Sequence, residues 1–485
     1  MKIAIITSEM APFARAGGLG DVVGSLMIEL GKMGHDIKVI LPKYKQVERQ
    51  RFRLKRFPDL LEVPMGRKIE LFMVQSAKLP YGPEALFIDK PEFFDRDELY
   101  GTPQGPFPDN DRRFIVFQRA SLELLRRINF KPDLIHLHDW QTGLVPLMLR
   151  TVCAEDATFK KTRTLFTVHN LSQQGLFPPD SLADTGIHWK EISLSQLQFQ
   201  GKISFLKAGL VFADFISTVS ERYAKEIQTE PFGLGMEDVI GSRKHELEGI
   251  LNGIDTVIWD PETDTSLAAN YSKDLIEKKR ENTVSLGKEL GLTEESTPLL
   301  GFVSRLNEQK GLDTLIPALE KIAEKKIRIA ILGVGEDCYQ KGLLDVAHRF
   351  PKYISISIGF DEVLARRIYA GADIMLFPSN FEPCGLGQMI ALRYGAVPLA
   401  RATGGFMDVI EPCSADGSKG NGFMFVEPTS VSLAAEVFRA AAIFEKKRVW
   451  REIISRGMNT DTSWKTSAKK YTDLYKRVSK KAVAA

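Results

Sequence analysis

Short runs of β-branched and aliphatic residues, each followed by an amphipathic stretch, recur along this chain, and that alternation is the pattern of a parallel sheet covered by helices. In the first half the runs fall at residues 3–7, 37–41, 134–137, 165–168 and 215–219. Between the first two, Val22, Leu26, Leu30 and Met33 form one stripe of a helix that stops at Gly34, completing a βαβ unit. The rhythm lapses across residues 255–297, which carry Pro261 and the charge run 277–281, then restarts at 299–303, 327–332, 354–358, 374–377 and 397–400. This reads as an α/β protein of two Rossmann-like domains, 1–250 and 251–454, with a helical segment at 455–485 packing back onto the first. A length of 485 residues suits two cores better than one. Ligands of open α/β sheets bind beyond the carboxyl ends of the strands, so the functional residues are expected there.

Charge and cysteine usage exclude several classes. Lys and Arg number 65 against 62 Asp and Glu, and a net charge of +3 is too small and dispersed for nucleic-acid binding. Ser8 and Glu9 interrupt the apolar N-terminal run before it reaches the length of a signal core or a membrane span, so a cytoplasmic protein with no membrane partner is expected. Cys153, Cys338, Cys384 and Cys413 are scattered without paired spacing, which argues against a disulfide framework or a zinc site. Cys153, Cys338 and Cys413 read as packing residues.

The first glycine-rich loop, Arg15-Ala16-Gly17-Gly18-Leu19-Gly20-Asp21, opens directly into a helix expected to start near Val22. Backbone amides, a helix N-terminus and the Arg15 cation make a phosphate its natural guest, although a ligand-free tight turn fits the same residues. A dinucleotide fingerprint does not fit, because the loop has the wrong spacing and the second strand run ends in Leu41-Pro42-Lys43 without a ribose-binding acid. Two adjacent strand ends carry His138-Asp139-Trp140-Gln141 and His169-Asn170. Such groups bind a metal, act as acid and base, or hydrogen-bond a polyhydroxylated ligand, while a helix-capping role for His138 and Asp139 is the bland alternative.

In the second half, the run 299–303 ends in Ser304-Arg305-Leu306, with Lys310 and Gly311 leading into the next helix. Two cations at a strand end suit a diphosphate, although charge alone favours a solvated turn. Most informative is Pro378-Ser379-Asn380-Phe381-Glu382-Pro383-Cys384-Gly385-Leu386-Gly387, which places a carboxylate and a run of amides at one strand end, followed by Thr403-Gly404-Gly405 at the next. A carboxylate beside a phosphate needs cations nearby, which gives Arg305 and Lys310 a second purpose.

Taken together, SEMAPFARAGGLGDVVGSL from Ser8, HLHDWQTGLVP from His136, FTVHNLSQQGLF from Phe166, FLKAGLVFAD from Phe205, GILNGIDTVIWDP from Gly249, SRLNEQKGLD from Ser304, PSNFEPCGLGQMIALRYG from Pro378 and ATGGFMDVI from Ala402 resemble the retaining glycosyltransferases of the bacterial glycogen synthase and plant starch synthase family. The resemblance covers nearly the whole chain and implies the GT-B architecture, two Rossmann-like domains facing across a deep interdomain cleft. It implies glucose transfer from ADP-glucose to the non-reducing end of an α-1,4-glucan such as glycogen or a maltooligosaccharide, with no cofactor and no metal. It assigns donor-phosphate contacts to Arg305, Lys310, the Gly17 and Gly18 backbone and the amides around Gly385 and Leu386. His169 falls near the transferred glucose, Glu382 on its hydroxyls, and Asp139 near the reacting centre. Arg15, Asp21, Asn170, Asn252, Cys384, Thr403 and Gly404 are further substrate-binding candidates, and Tyr100 and Trp140 offer flat faces to sugar rings or simply pack.

The chain departs from the family pattern at three positions: Arg15 replaces the usual Lys, Gln141 stands where His is common, and Gly387 stands where many members have Thr. Ile390 lacks the second Glu that many other GT-B transferases carry eight residues after the first, and this absence favours the glycogen synthase branch. An α-glucan phosphorylase using pyridoxal phosphate, a catalytically weak glucan-binding homologue and a transferase with another acceptor are the competing functions.

Overall fold

The β-branched core of Lys2–Ile6 is buried on both faces, as a central strand of a parallel sheet requires. A computed structural model describes residues 1–49, 52–65, 68–79, 82–102, 104–187, 192–294 and 296–480. In it the chain forms two units, Met1–Asn252 with Trp464–Ala485, and Gly253–Ser463.

The main sheet of the first unit runs Leu247–Gly249, Phe215–Thr218, Arg163–Val168, Leu134–His138, Lys2–Ile6, Asp36–Pro42 and Glu84–Asp89, all parallel. Beyond Glu84–Asp89 the sheet turns antiparallel through Lys68–Lys78, which also pairs Lys55–Arg56 and Leu61–Met65. Strands join on both sides of Lys2–Ile6, so the chain reverses direction there, between Lys2–Ile6 and Leu134–His138. The helix Gly18–Lys32 starts four residues earlier than its apolar stripe suggests and ends at Met33, with Gly34 left-handed at φ 82°. Its stripe packs with Ile3, Ile5 and the last helix, Trp464–Lys480, in one core.

The second unit is a parallel sheet in the order Ile354–Ile358, Arg328–Gly333, Leu299–Val303, Ile374–Phe377, Val397–Arg401, Phe423–Phe425. Its direction reverses between Leu299–Val303 and Ile374–Phe377. The amphipathic helices Leu312–Glu324 and Ser430–Phe444 bury their apolar stripes on this sheet.

Two expectations are corrected. The segment expected at 455–485 is split, because Lys447–Met458 is a helix of the second unit and the return to the first begins only at Trp464. Residues 481–485 lie outside the described residues. Cys338 is exposed on the helix Asp337–Arg349, while Cys153, Cys384 and Cys413 are buried, so Cys338 is not a packing residue. No helix among the described residues is long and apolar enough to cross a membrane.

Candidate active site

At the reversal of the first sheet, parallel pairing sets His138 opposite Thr167, so the two strand ends deliver His138-Asp139 and His169-Asn170 side by side. Asp139 adopts φ 56° and ψ −175°, a left-handed backbone that costs a non-glycine residue about 1–3 kcal/mol. Its bonds hold it there. The Asp139 amide donates to Thr167 O at 3.0 Å, and its Oδ1 accepts the His169 amide at 2.7 Å. The capping alternative fails, since Asp139 makes no side-chain bond to the short helix it precedes.

Burial pushes the Asp139 carboxyl up to about 7; the amides of His169 and Asn170 oppose the shift, and the charge of Glu9 adds to it. His138 Nδ1 and His169 Nε2 share a hydrogen bond of 2.9 Å, which requires complementary tautomers. Burial lowers His169 to about 3 and drives His138 well below its ordinary value, so both rings are neutral at pH 7. Behind them, His136 bonds Tyr475 at 2.8 Å and Thr167 at 2.6 Å.

Glu9, which sequence reasoning left without a role, occupies the glycine-rich loop. Its buried carboxylate accepts the Ala16 amide at 2.7 Å and the Gly17 amide at 3.0 Å through Oε2, and the Tyr100 hydroxyl at 2.7 Å through Oε1. The Gly17 amide, expected as a phosphate contact, donates to this carboxylate in the ligand-free protein. Gly18 opens the helix. Arg15 and Asp21 form an exposed ion pair at 3.0 Å, worth about 0–1 kcal/mol and easily exchanged for a ligand.

Tyr100 holds Ser8 and Glu9 through its hydroxyl. Trp140 is buried and packs edge-on to Phe114 at 4.9 Å and against Phe177 at 5.4 Å, so it supports the site from beneath and offers no face to a sugar. Asn170 Oδ1 is engaged by Ser172, whereas the buried Asn252 Oδ1 and Gln141 Oε1 have no partner among the described residues.

In the second unit, three loops at the reversal of the sheet lock together. Lys310 Nζ donates to Glu382 Oε2 at 2.5 Å, and Ser379 Oγ donates to the same oxygen at 3.1 Å. This pair links the cationic loop to the carboxylate loop, and Arg305 stands exposed at the same edge. Asn380 fastens the two loops through Gln309 O and Glu308 O, and Arg401 donates to Asn380 O at 2.5 Å. Gly311, at φ 72°, lies where a Cβ would meet Pro378 O at 2.0 Å, and Gly404, at φ 45°, where a Cβ would meet Glu382 O at 1.8 Å. Only glycine permits these approaches.

Thr403 is buried, its hydroxyl without a partner among the described residues, and Cys384 is buried beside Gly385, which is left-handed, and Leu386, which is not. Gly387 has a steric cause for its departure, because a Cβ there would meet Phe377 at 2.7 Å and the Tyr369 hydroxyl at 3.0 Å. Phe360, not singled out from sequence, follows the strand Ile354–Ile358 and is 80% exposed, an aromatic face at the same edge of the sheet. Among the described residues no group of three or more His, Cys, Asp and Glu is placed to hold a metal.

Known proteins resemble this chain over nearly its whole length. The starch synthase catalytic domain family matches residues 2–242, and the group 1 glycosyl transferases match 289–453. The glycogen synthase of Syntrophotalea carbinolica is 43% identical over 98% of this chain and 99% of its own, and that of Geotalea daltonii is 44% identical over 99% of each. The chain belongs to the glycogen synthase and starch synthase family. It is a glycosyltransferase with the GT-B fold. The catalytic domain of starch synthase IV from Arabidopsis thaliana, bound to ADP and acarbose, superposes with a TM-score of 0.89 at 33% identity over 99% of each chain. Sucrose-phosphate synthase from Thermosynechococcus elongatus shares the fold alone, with a TM-score of 0.61 at 17% identity over 98% of each chain.

Proposed function

We propose that this glycosyltransferase moves glucose from ADP-glucose to the non-reducing end of an α-1,4-glucan with retention of anomeric configuration. The observation that carries the reading is the Lys310–Glu382 pair at the reversal of the second sheet, with Arg305 beside it. A nucleotide-sugar presents a diphosphate next to a ring of hydroxyls, and this cluster offers cations for the first and a carboxylate for the second. The relative from Arabidopsis was solved with ADP and acarbose, which supports a nucleoside diphosphate and a saccharide as ligands here.

In this reading the main electrostatic demand is charge growing on the departing diphosphate as the glucosyl carbon becomes oxocarbenium-like. Arg305 and Lys310 stabilise that charge. Glu382, held by Lys310 and Ser379, accepts hydrogen bonds from the sugar hydroxyls. The glucan 4-hydroxyl attacks from the face the diphosphate leaves, and a leaving phosphate oxygen takes its proton. Neutral His169 hydrogen-bonds the sugar without adding positive charge beside the oxocarbenium, and Asp139 fixes the backbone of His169. Phe360 supplies a stacking face for the base. No metal or cofactor enters this scheme.

The test incubates the protein with ADP-glucose or UDP-glucose and a maltooligosaccharide, and follows nucleotide release, chain length and the anomer of the new linkage. Extension from ADP-glucose with α-linkages is expected; extension from neither donor, or β-linkages, contradicts the proposal. Phe360→Ala is expected to raise the KM for donor about tenfold with little change in kcat, consistent with about 1–3 kcal/mol for base stacking. An unchanged KM removes Phe360 from the donor site.

A further inference from the structure

Tyr100 reaches the glycine-rich loop from a stretch that has no regular structure of its own. Between the short helix Pro91–Phe94 and the two-residue strand Gly101–Thr102 the chain is neither helix nor strand. The Tyr100 hydroxyl donates to Glu9 Oε1 at 2.7 Å and, with its one proton committed there, accepts from Ser8 Oγ at 2.7 Å. Glu9 Oε2 in turn holds the Ala16 and Gly17 amides, so whatever seats Tyr100 also bears on the loop.

Arg113 and Asn110, one turn apart on the helix Asn110–Arg127, supply that seat. Arg113 Nε donates to Phe93 O at 2.7 Å and its Nη1 to Leu99 O at 2.9 Å, so one guanidinium ties both ends of the irregular stretch. Nη1 also donates to Asn110 Oδ1 at 2.7 Å, and the Asn110 Nδ2 donates to the Tyr100 carbonyl at 2.8 Å. The reverse placing of the Asn110 oxygen and nitrogen would set donor against donor and acceptor against acceptor. A continuous path of hydrogen bonds therefore runs from Arg113 through Asn110, Tyr100 and Glu9 to the Ala16 and Gly17 amides.

Core packing does not account for the charge on Arg113. The side chain is 0% exposed, it makes no ion pair among the described residues, and its Nη2 has no hydrogen-bond partner among them. The rings of Phe94, Phe107 and Phe114 lie 5.4, 5.1 and 5.4 Å from the guanidinium carbon and compensate the charge only in part. A buried cation without a counter-ion is costly, and an apolar side chain of similar volume fills such a space at lower cost. The bonds Arg113 does make go to Phe93, Leu99 and Asn110, which flank or hold Tyr100.

We propose that Arg113 and Asn110 are positioning residues of the transfer reaction: they seat Tyr100 and, through Tyr100 and Glu9, set the conformation of the glycine-rich loop. The effect on the loop does not depend on which sugar is transferred. The effect on rate rests on the proposed glucosyl transfer.

The test is Arg113→Met, which keeps an unbranched side chain and removes the charge and the donors, with hydrogen exchange resolved to the Ala16 and Gly17 amides. Exchange at those amides is expected to rise about tenfold or more while the strand Lys2–Ile6 stays as protected as in the parent. Tyr100→Phe is expected to give the same rise, and the double variant no more than Tyr100→Phe alone, because both substitutions cut one path. Elongation of a maltooligosaccharide from ADP-glucose is expected to slow about tenfold in Arg113→Met. A rise confined to residues 93–100, a rise that includes Lys2–Ile6, additive rises in the double variant, or elongation at the parent rate overturns the proposal. A parent protein that transfers no glucose contradicts the proposed function instead, and the exchange rates still decide the positioning. Should Arg113→Met not fold, Asn110→Asp serves in its place: it keeps an acceptor for Arg113, adds a counter-charge and loses the bond to the Tyr100 carbonyl, so the same exchange pattern is expected without a lower melting temperature.

Discussion

Lys310 and Glu382 lie 72 positions apart and meet at 2.5 Å, so each is needed to keep the other's charge balanced when no substrate is bound. In Lys310→Ala the developing diphosphate charge loses one clamp, and kcat is expected to fall about 100-fold with the circular dichroism spectrum unchanged. Near-normal turnover would remove Lys310 from the clamp. Glu9 sits differently, as a buried acceptor for two amides and the Tyr100 hydroxyl. Glu9→Gln places an amide NH2 where one of these donors points, and a loss of about 1–3 kcal/mol in urea unfolding is expected. A variant as stable as the parent would show that the carboxylate is not what holds the loop. Asp139, His169, Lys310 and Glu382 were legible as candidates because each lies in the loop that follows an apolar run. Glu9 was not, because its partner Tyr100 lies 91 positions away and the glycine-rich loop reads equally well as a phosphate cradle. Trp140 was ambiguous for a related reason: only the packing of Phe114 and Phe177 around it decides that it is a support.

At the scale of the strand ends, the paired termini of Leu134–His138 and Arg163–Val168 hold three imidazoles neutral, with His136 and His169 lowered to about 3 and His138 also well below its ordinary value. A histidine whose folded pKa is depressed favours the fold above its unfolded pKa of about 6.5, and that contribution is lost as pH falls toward about 3. Asp139 acts with the opposite sign: its folded pKa of about 7 lies above the unfolded value near 3.9, so it favours the fold at low pH and the contribution is lost as pH rises through 7. Denaturant titrations between pH 4 and 8 are expected to show Asp139→Asn gaining stability relative to the parent as pH rises, with the difference levelling above about 7. A pH-independent difference would contradict the raised pKa. Most parallel strands were legible as elements because burial on both faces writes continuous apolar runs, whereas Glu84–Asp89, Leu247–Gly249 and Phe423–Phe425 were not singled out. The antiparallel edge was not: Leu61–Met65 alternates buried and exposed residues and contains Pro64, and Lys55–Arg56 is exposed and charged, so neither carries an apolar run.

Over the whole molecule, each unit reverses its strand order once, and each reversal carries one polar cluster, His138-Asp139-His169 in the first and Arg305-Lys310-Glu382 in the second. The repeat of architecture was readable from the rhythm of the chain, but the split of its C-terminal part was not, since Lys447–Met458 and Trp464–Lys480 are both amphipathic and only their partners distinguish them. The proposed function gives Lys310 a contact with the donor diphosphate and His169 a contact with the transferred sugar. The most direct measurement is ADP-glucose-dependent elongation of a maltooligosaccharide, followed beside ADP affinity in the parent, His169→Ala and Lys310→Ala. Both variants are predicted to lose elongation by about 100-fold or more, with ADP affinity weakened only in Lys310→Ala. Elongation at the parent rate in His169→Ala, or ADP affinity unchanged in Lys310→Ala, would contradict the account.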